Sequence, residues 1–282
     1  MKFIDYNSPE KAIINDVFKS LSYMDMWISS IVEGYIYEKV DKVDNEHNRE
    51  EYIERYGKIE GEYKKWCSNG QLWRQEYYKE GKLDGECKWW WTNGQLRGKC
   101  YYKNDKLEGE YKGFYLYGTL SSLCYYKDGE YDGEYKRWDC DGTLLHDCYY
   151  KKGILEGKEY RSAHGGYMAA SSHWKEGKLE GERKVFYDNG NIYCQYDYKE
   201  DKIEGEYKSW YQNGQLESQG YYKEGKREGE YKGWHKNGQL CSVCYFKEGK
   251  REGEHKRWDL EGKLTEHNIY ENDNIVQDLL TT

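Results

Sequence analysis

Residues 205–229 read GEYKSWYQNGQLESQGYYKEGKREG, and the same phrase returns as YKKWCSNGQL at 63–72 and YKGWHKNGQL at 231–240. The glycine ahead of the Tyr-Lys pair falls at Gly61, Gly85, Gly109, Gly133, Gly157, Gly181, Gly205, Gly229 and Gly253, an unbroken interval of 24 residues. A second series, Gly70, Gly94, Gly118, Gly142, Gly166, Gly190, Gly214, Gly238 and Gly262, keeps the same interval. Nine copies without insertion require a fold in which each copy docks on the next at one fixed step.

Each repeat holds two turn signals between strand-like runs of Tyr, Trp, Lys and Glu. In SNGQ (68–71), TNGQ (92–95), QNGQ (212–215) and KNGQ (236–239), an Asn-Gly pair supplies residues that accept positive φ, a strong hairpin signal. The second turn, at Gly81, Asp105, Gly129, Gly153, Gly177, Asp201, Gly225 and Gly249, uses only Gly or Asp, which tolerate the left-handed region. The pattern predicts a mainly β fold, an elongated antiparallel meander of hairpins. With strands about 4.8 Å apart, two per repeat, it would run on the order of 85–90 Å.

Strand side chains alternate between faces, so columns predict the buried side. Trp66, Trp90, Phe114, Trp138, Ser162, Phe186, Trp210, Trp234 and Trp258 form one column, and Leu72, Leu96, Leu120, Leu144, Met168, Ile192, Leu216, Leu240 and Leu264 form another. The two share a face if the Asn-Gly loop has three residues, Ser68, Asn69 and Gly70 in the first repeat, as in a type I turn with a glycine bulge. A third column, Tyr78, Tyr102, Tyr126, Tyr150, Trp174, Tyr198, Tyr222, Phe246 and Tyr270, is expected to complete that apolar stripe. The opposite face is then expected to carry Tyr63, Tyr111, Tyr135, Tyr207 and Tyr231 beside Tyr77, Tyr101, Tyr125, Tyr149, Tyr221 and Tyr245. Such a belt either packs across strands or offers a partner rigid contact area at low entropic cost.

Composition agrees with a thin aromatic core: 33 Tyr and 11 Trp stand against 5 Phe, 4 Met and a single proline. Acidic residues outnumber basic ones 52 to 44 in interspersed order, which argues against a nucleic-acid groove. No apolar run reaches the roughly 18–20 residues of a membrane-spanning helix, and the N-terminus lacks the order of a secretory signal, so an intracellular protein is expected. Residues 1–50 lack the period. Ser8 and Pro9 start a helical pattern through Ala12, Ile13, Val17 and Leu21, and Met26 to Val32 form a second apolar group. A helical cap or docking segment is expected over 1–50, with the repeat domain over 51–282. The tail IYENDNIVQ (269–277) should supply a closing strand.

Catalytic and metal readings find little support. Cys100, Cys124, Cys148 and Cys244 occupy one column, so neighbours lie about 9–10 Å apart, too far for disulfides. Cys241 and Cys244 are three apart on a strand and point to opposite faces, which a zinc site cannot use. The seven histidines share no metal-ligand spacing, and no phosphate-binding loop is present. Glu60 and Glu62 recur in most repeats, as surface ladders do. The divergent copy KEYRSAHGGYMAASS (158–172) keeps its length while losing Trp and Asn; its Arg161, Ser162 and His164 follow one another without an orienting acid. A non-enzymatic protein with no cofactor or metal is expected.

With these columns assembled, the chain resembles the MORN-repeat proteins, in the variant form GxYxxWYxNGxLxxxxxYxxGxxxG, which 205–229 follows almost throughout; the likeness covers roughly 57–275. Variant-type members occur in large DNA viruses and in bacteria, where some are described as antitoxins. The resemblance implies an extended sheet used as a scaffold or docking surface, and the family is also linked to membrane association and self-association. A Lys column (Lys79, Lys103, Lys127, Lys151, Lys175, Lys199, Lys223, Lys247) would suit anionic lipid, but the Glu62, Glu86, Glu110, Glu134, Glu182, Glu206, Glu230 and Glu254 ladder offsets it. The leading expectation is a protein partner bound on the aromatic-lined sheet. Peripheral lipid binding and antitoxin-like inhibition of a partner protein are the alternatives.

Overall fold

The computed structural model describes residues 38–44, 46, 48–162 and 168–280, and every regular element among them is a β-strand. The chain forms two compact bodies divided after Glu130, the first residue of the strand that opens the second. The first holds β1 Glu38–Val43, β2 Arg49–Arg55, β3 Lys58–Trp66, β4 Leu72–Lys79, β5 Lys82–Leu83, β6 Gly85–Trp90, β7 Leu96–Lys103, β8 Lys106–Leu107, β9 Gly109–Phe114 and β10 Leu120–Lys127. The second holds β11 Glu130–Trp138, β12 Leu144–Lys151, β13 Ile154–Ser162, β14 Met168–Lys175, β15 Lys178–Leu179, β16 Gly181–Phe186, β17 Ile192–Lys199, β18 Lys202–Trp210, β19 Leu216–Lys223, β20 Lys226–Trp234, β21 Leu240–Lys247, β22 Lys250–Arg251, β23 Gly253–Trp258, β24 Leu264–Glu271 and β25 Asn274–Asp278. Within each body, successive strands pair antiparallel as a meander, and the expected closing strand is β25 on β24.

The Asn-Gly loop has three residues. Cys67 N donates to Gln71 O at 2.9 Å, Gly70 N donates to Cys67 O at 2.9 Å, and Gly70 takes φ 79°. Trp66 therefore pairs directly with Leu72. The next pair is Lys65 with Arg74, so Trp73 is an extra residue, a bulge. The same shift occurs between Ser209 and Trp210, and between Gly233 and Trp234.

The second turn has two residues, and both adopt positive φ: 51° at Glu80 and 79° at Gly81. This is a type I′ geometry, whose twist matches the flanking strands. Glu176, Glu224 and Glu248 take the same left-handed position at φ 51°. A non-glycine residue there is strained, and its N–H is held by an acid of the preceding repeat. Glu80 N donates to Glu60 at 2.7 Å, Glu176 N to Glu156 at 2.8 Å, and Glu224 N to Glu204 at 2.7 Å. The second turn residue also reaches back: Gly81 N donates to Ile59 O at 3.0 Å, and Gly225 N to Ile203 O at 2.8 Å. Where Asp replaces Gly, its carboxylate adds a bond, accepting from Leu83 N at Asp105 (2.8 Å) and from Leu179 N at Asp201 (2.7 Å). The loop edge has its own ties: the Tyr187 hydroxyl donates to Trp210 O at 2.9 Å and the Tyr211 hydroxyl to Trp234 O at 2.8 Å. The fixed 24-residue step is built from these contacts.

The bulge corrects the expected division of columns. With Trp73 inserted, Leu72 and Tyr78 lie on opposite faces although their numbers differ by an even count. Tyr78 shares its face with Tyr63, and their ring centroids stand 6.0 Å apart. Tyr111 meets Tyr126 at 6.3 Å, Tyr135 meets Tyr150 at 5.9 Å, Tyr207 meets Tyr222 at 5.7 Å, and Tyr231 meets Phe246 at 6.0 Å. Tyr77, Tyr101, Tyr125, Tyr149, Tyr221 and Tyr245 occupy the other face, with the Trp66 and Leu72 columns. The expected single belt of eleven tyrosines is thus two rows on two faces.

The expected core residues Trp66, Leu72, Tyr78, Trp90, Leu96, Tyr102, Trp138, Leu144, Trp210, Leu216, Trp234, Leu240, Trp258 and Leu264 are all half-buried. Apart from Tyr270, full burial falls to small and polar side chains of the ring-bearing face, among them Cys87, Cys100, Cys124, Cys148, Cys194, Glu76, Glu159 and Ser172.

The start of the chain also differs from expectation. Within the segment expected as helical, Glu38–Val43 is a strand, and its antiparallel partner Arg49–Arg55 begins at the end of that segment. The Asp44 carboxylate accepts the N–H groups of Glu46 and Asn48, each at 2.9 Å, and shapes the loop between them. Tyr56 and Gly57, at φ 52° and 73°, then form the two-residue turn into β3. The helical pattern over 8–34 lies outside the described residues.

Candidate interaction surfaces

On the face of the Trp66 and Leu72 columns, an acid, a lysine and a tyrosine meet in repeat after repeat. Lys64 pairs with Glu62 at 2.7 Å, and the Tyr77 hydroxyl donates to the same carboxylate at 3.1 Å. Lys112 with Glu110 (2.8 Å), and Lys232 with Glu230 (2.6 Å), repeat the pair, with Tyr125 and Tyr245 donating at 3.3 and 3.1 Å. Alternation places Lys64 and Glu62 on one side of β3, and the pairing of Glu62 with Tyr77 brings the ring beside them. Burial works to raise the Glu62 carboxyl, but the Lys64, Gln75 and Tyr77 donors outweigh it and leave it lowered. The Lys232 ammonium, with Tyr245, likewise lowers Glu230. The glutamates are therefore paired with the Lys64 column, not with the Lys79 column that they were expected to offset. The tyrosine rings stay in solvent: Tyr77 is 37% exposed, Tyr101 46%, Tyr149 45%, Tyr221 49% and Tyr245 42%.

The opposite face is a run of packed rings. Tyr207 stacks on Tyr196 at 5.9 Å and on Tyr231 at 6.5 Å, and the Arg227 guanidinium lies 4.5 Å over the Tyr231 ring. Burial pushes the Tyr196 and Tyr207 phenols up to about 12. Tyr63, Tyr111, Tyr135, Tyr207 and Tyr231 are therefore packing residues.

In the divergent repeat the ring slot holds Glu159, which is 4% exposed. Its carboxylate accepts from His146 Nε2 at 2.9 Å, Arg161 Nε at 2.7 Å and Trp174 Nε1 at 2.8 Å. Burial alone would raise this carboxyl; the His146, Arg161 and Trp174 donors overcome it and hold it at about 2. Arg161 is thus drawn into a salt-bridged cluster, while His164 lies outside the described residues. Three donors satisfy this buried carboxylate, so the cluster reads as packing by polar means. Glu76 is its counterpart in the first body, taking the Arg74 Nε at 2.6 Å and the Tyr78 hydroxyl at 3.0 Å. Glu159 does not announce itself in sequence, because His146 and Trp174 reach it from thirteen and fifteen residues away across strand pairs, whereas the Glu76 partners stand two residues to either side on its own strand. The Glu60 column does recur visibly, but its role as a turn acceptor depends on the positive φ of the Glu80 column, which glutamate does not signal.

The model of the MORN repeat variant matches residues 59–80, 83–104, 179–200, 203–224 and 227–248. No curated protein matches the chain. Similar solved structures include a porin-like protein from Bacteroides uniformis, at 12% identity over 85% of this chain and 91% of that one, with a TM-score of 0.19. Another is TcdB2–TccC3 without its hypervariable C-terminal region, at 9% identity over 85% of this chain and 18% of that one, with a TM-score of 0.15. At such TM-scores neither likeness bears on fold or function. The five matched stretches, each a hairpin closed by the turns described above, are MORN repeat variants.

Proposed function

We propose that the protein is a non-enzymatic repeat scaffold that docks a protein partner on the corresponding face of each body, bearing Tyr77 and Tyr101 in the first and Tyr149, Tyr221 and Tyr245 in the second. The observation that carries this reading is the recurrence of half-exposed tyrosine rings on fixed strands, with Glu–Lys pairs beside them. Tyrosine supplies broad contact area while losing little side-chain freedom, which is why it anchors interfaces. The neighbouring charges already satisfy one another, so a partner meets a nearly neutral, ring-studded surface. An inhibitory, antitoxin-like role would use the same face on a different partner.

The test is affinity capture from the native source with the full chain and with a variant carrying Tyr→Ser at those five positions, both checked for strand content by circular dichroism. Proteins held by the parent and lost by the variant are the expected result; equal capture by a folded variant refutes the assignment of this face. Flotation with phosphatidylserine vesicles, at low and physiological salt, is expected to leave the protein unbound. Salt-sensitive binding would instead support the lipid reading.

A further inference from the structure

Cys87 on β6 and Cys100 on β7 are directly opposed partners. Opposed residues of an antiparallel pair hold their Cα atoms about 4.5–5.5 Å apart, inside the roughly 4.4–6.8 Å that a disulfide spans. The wide spacing that separates Cys100, Cys124, Cys148 and Cys244 does not apply, because Cys87 belongs to another column and replaces the ring that stands at Tyr63 or Tyr111. Cys124, Cys148 and Cys244 face Tyr111, Tyr135 and Tyr231, and Cys194 faces Val185 and Ser209. Among the described residues, Cys87 and Cys100 are the one cysteine pair set opposite each other.

Both thiols are free, and they are 3% and 5% exposed. They line a cavity of about 410 Å³ together with Trp73, Arg74, Glu76 and Trp89. A small neutral molecule can therefore reach two adjacent sulfurs that bulk solvent barely touches.

We propose that Cys87 and Cys100 are a modification site at which a hydroperoxide closes a reversible intrachain disulfide across β6 and β7. The Cys100 S–H donates to the Cys87 sulfur, which lowers the Cys87 thiol from its ordinary value and pushes Cys100 up. Cys87 is thus the nucleophile. Its thiolate attacks one oxygen of hydrogen peroxide; an S–O bond forms, the O–O bond breaks, and the departing hydroxide takes up the thiol's proton as water. The Cys100 sulfur then attacks the Cys87 sulfenic acid. The S–S bond forms, the S–O bond breaks, and the Cys100 proton leaves with the hydroxyl as a second water. Two thiols and one peroxide give one disulfide and two waters, with two electrons passing from the sulfur pair to the peroxide.

The experiment treats the folded full-length chain with one equivalent of hydrogen peroxide, blocks remaining thiols, digests it and maps crosslinked peptides by mass spectrometry. The expected result is a Cys87–Cys100 crosslink with a loss of about 2 Da per chain, restored by dithiothreitol. C100S should leave a dimedone-reactive sulfenic acid on Cys87, and C87S should abolish labelling at both positions. The proposal is overturned if Cys87 and Cys100 both remain alkylatable after oxidation. It is equally overturned if the disulfides found join other cysteines such as the exposed Cys140. The wild-type map decides the matter even if a serine variant fails to fold.

Discussion

Two repeats of the second body, 154–175 and 202–223, solve the same packing problem with opposite chemistry. The later one sets Tyr207 against Gly220, whereas the earlier one sets Glu159 against Ser172. Tyr207 fills its slot with rings on several sides; Glu159 fills the equivalent slot with a carboxylate that gathers His146, Arg161 and Trp174. The turns do not change. Gly177 N reaches Leu155 O at 3.0 Å as Gly225 N reaches Ile203 O at 2.8 Å, and Glu156 and Glu204 each hold the turn N–H ahead of them. The step between repeats therefore resides in the turns. The face residues may be exchanged provided the replacement set satisfies itself.

The comparison breaks most sharply at Glu159. Glu159→Ala leaves His146 and Trp174 without their acceptor, while the mostly exposed Arg161 turns to water, and is expected to cost about 2–3 kcal/mol, read as a lowered urea midpoint of the full chain. The same carboxyl gives a pH signature. Its folded value of about 2 lies below the ordinary 4.5, so its stabilisation is complete above roughly pH 4.5 and is lost as pH falls towards 2. The loss is on the order of 3 kcal/mol, and Glu159→Ala should flatten that part of the urea-midpoint profile.

A smaller asymmetry is expected at the opposed position. A Cβ at Gly220 would run into the Tyr231 ring, so Gly220→Ser should cost about 1–3 kcal/mol by overpacking. The reverse exchange, Ser172→Gly, should stay within about 1 kcal/mol. Equal urea midpoints for the two variants would show that ring and carboxylate slots are built alike after all.

The smallest effect sharpens the shared part. Glu156→Gln and Glu204→Gln each weaken one exposed acceptor of a turn N–H, and both should lower stability by less than about 1 kcal/mol and by the same amount. A clear difference between them in thermal unfolding would mean that the divergent repeat also steps differently.

Much of this architecture is legible in the chain. The 24-residue interval, the three-residue loop that pairs Trp66 with Leu72, and the second turns at the Gly81 column all follow from glycine placement and column matching. Facing does not. A bulge such as Trp73 adds one residue without any compositional mark, and it reverses the inside-outside order of everything after it. The strand β2 had a readable trace in Gly57, which turns it into β3 and lies 24 residues before Gly81, but the surrounding residues have drifted too far to repeat the phrase. The Glu159 cluster is assembled across strand pairs, so no local spacing exposes it, and the same holds for the opposed cysteines.

Because the turn contacts join a repeat only to the one before it, neither body counts its own members. Excising or duplicating a whole 24-residue block between matching positions, such as Gly205 and Gly229, would present each new junction with the acceptors and donors it already expects. Reach is then an adjustable property of such a chain, open to change by recombination at its glycines without any redesign of the joints.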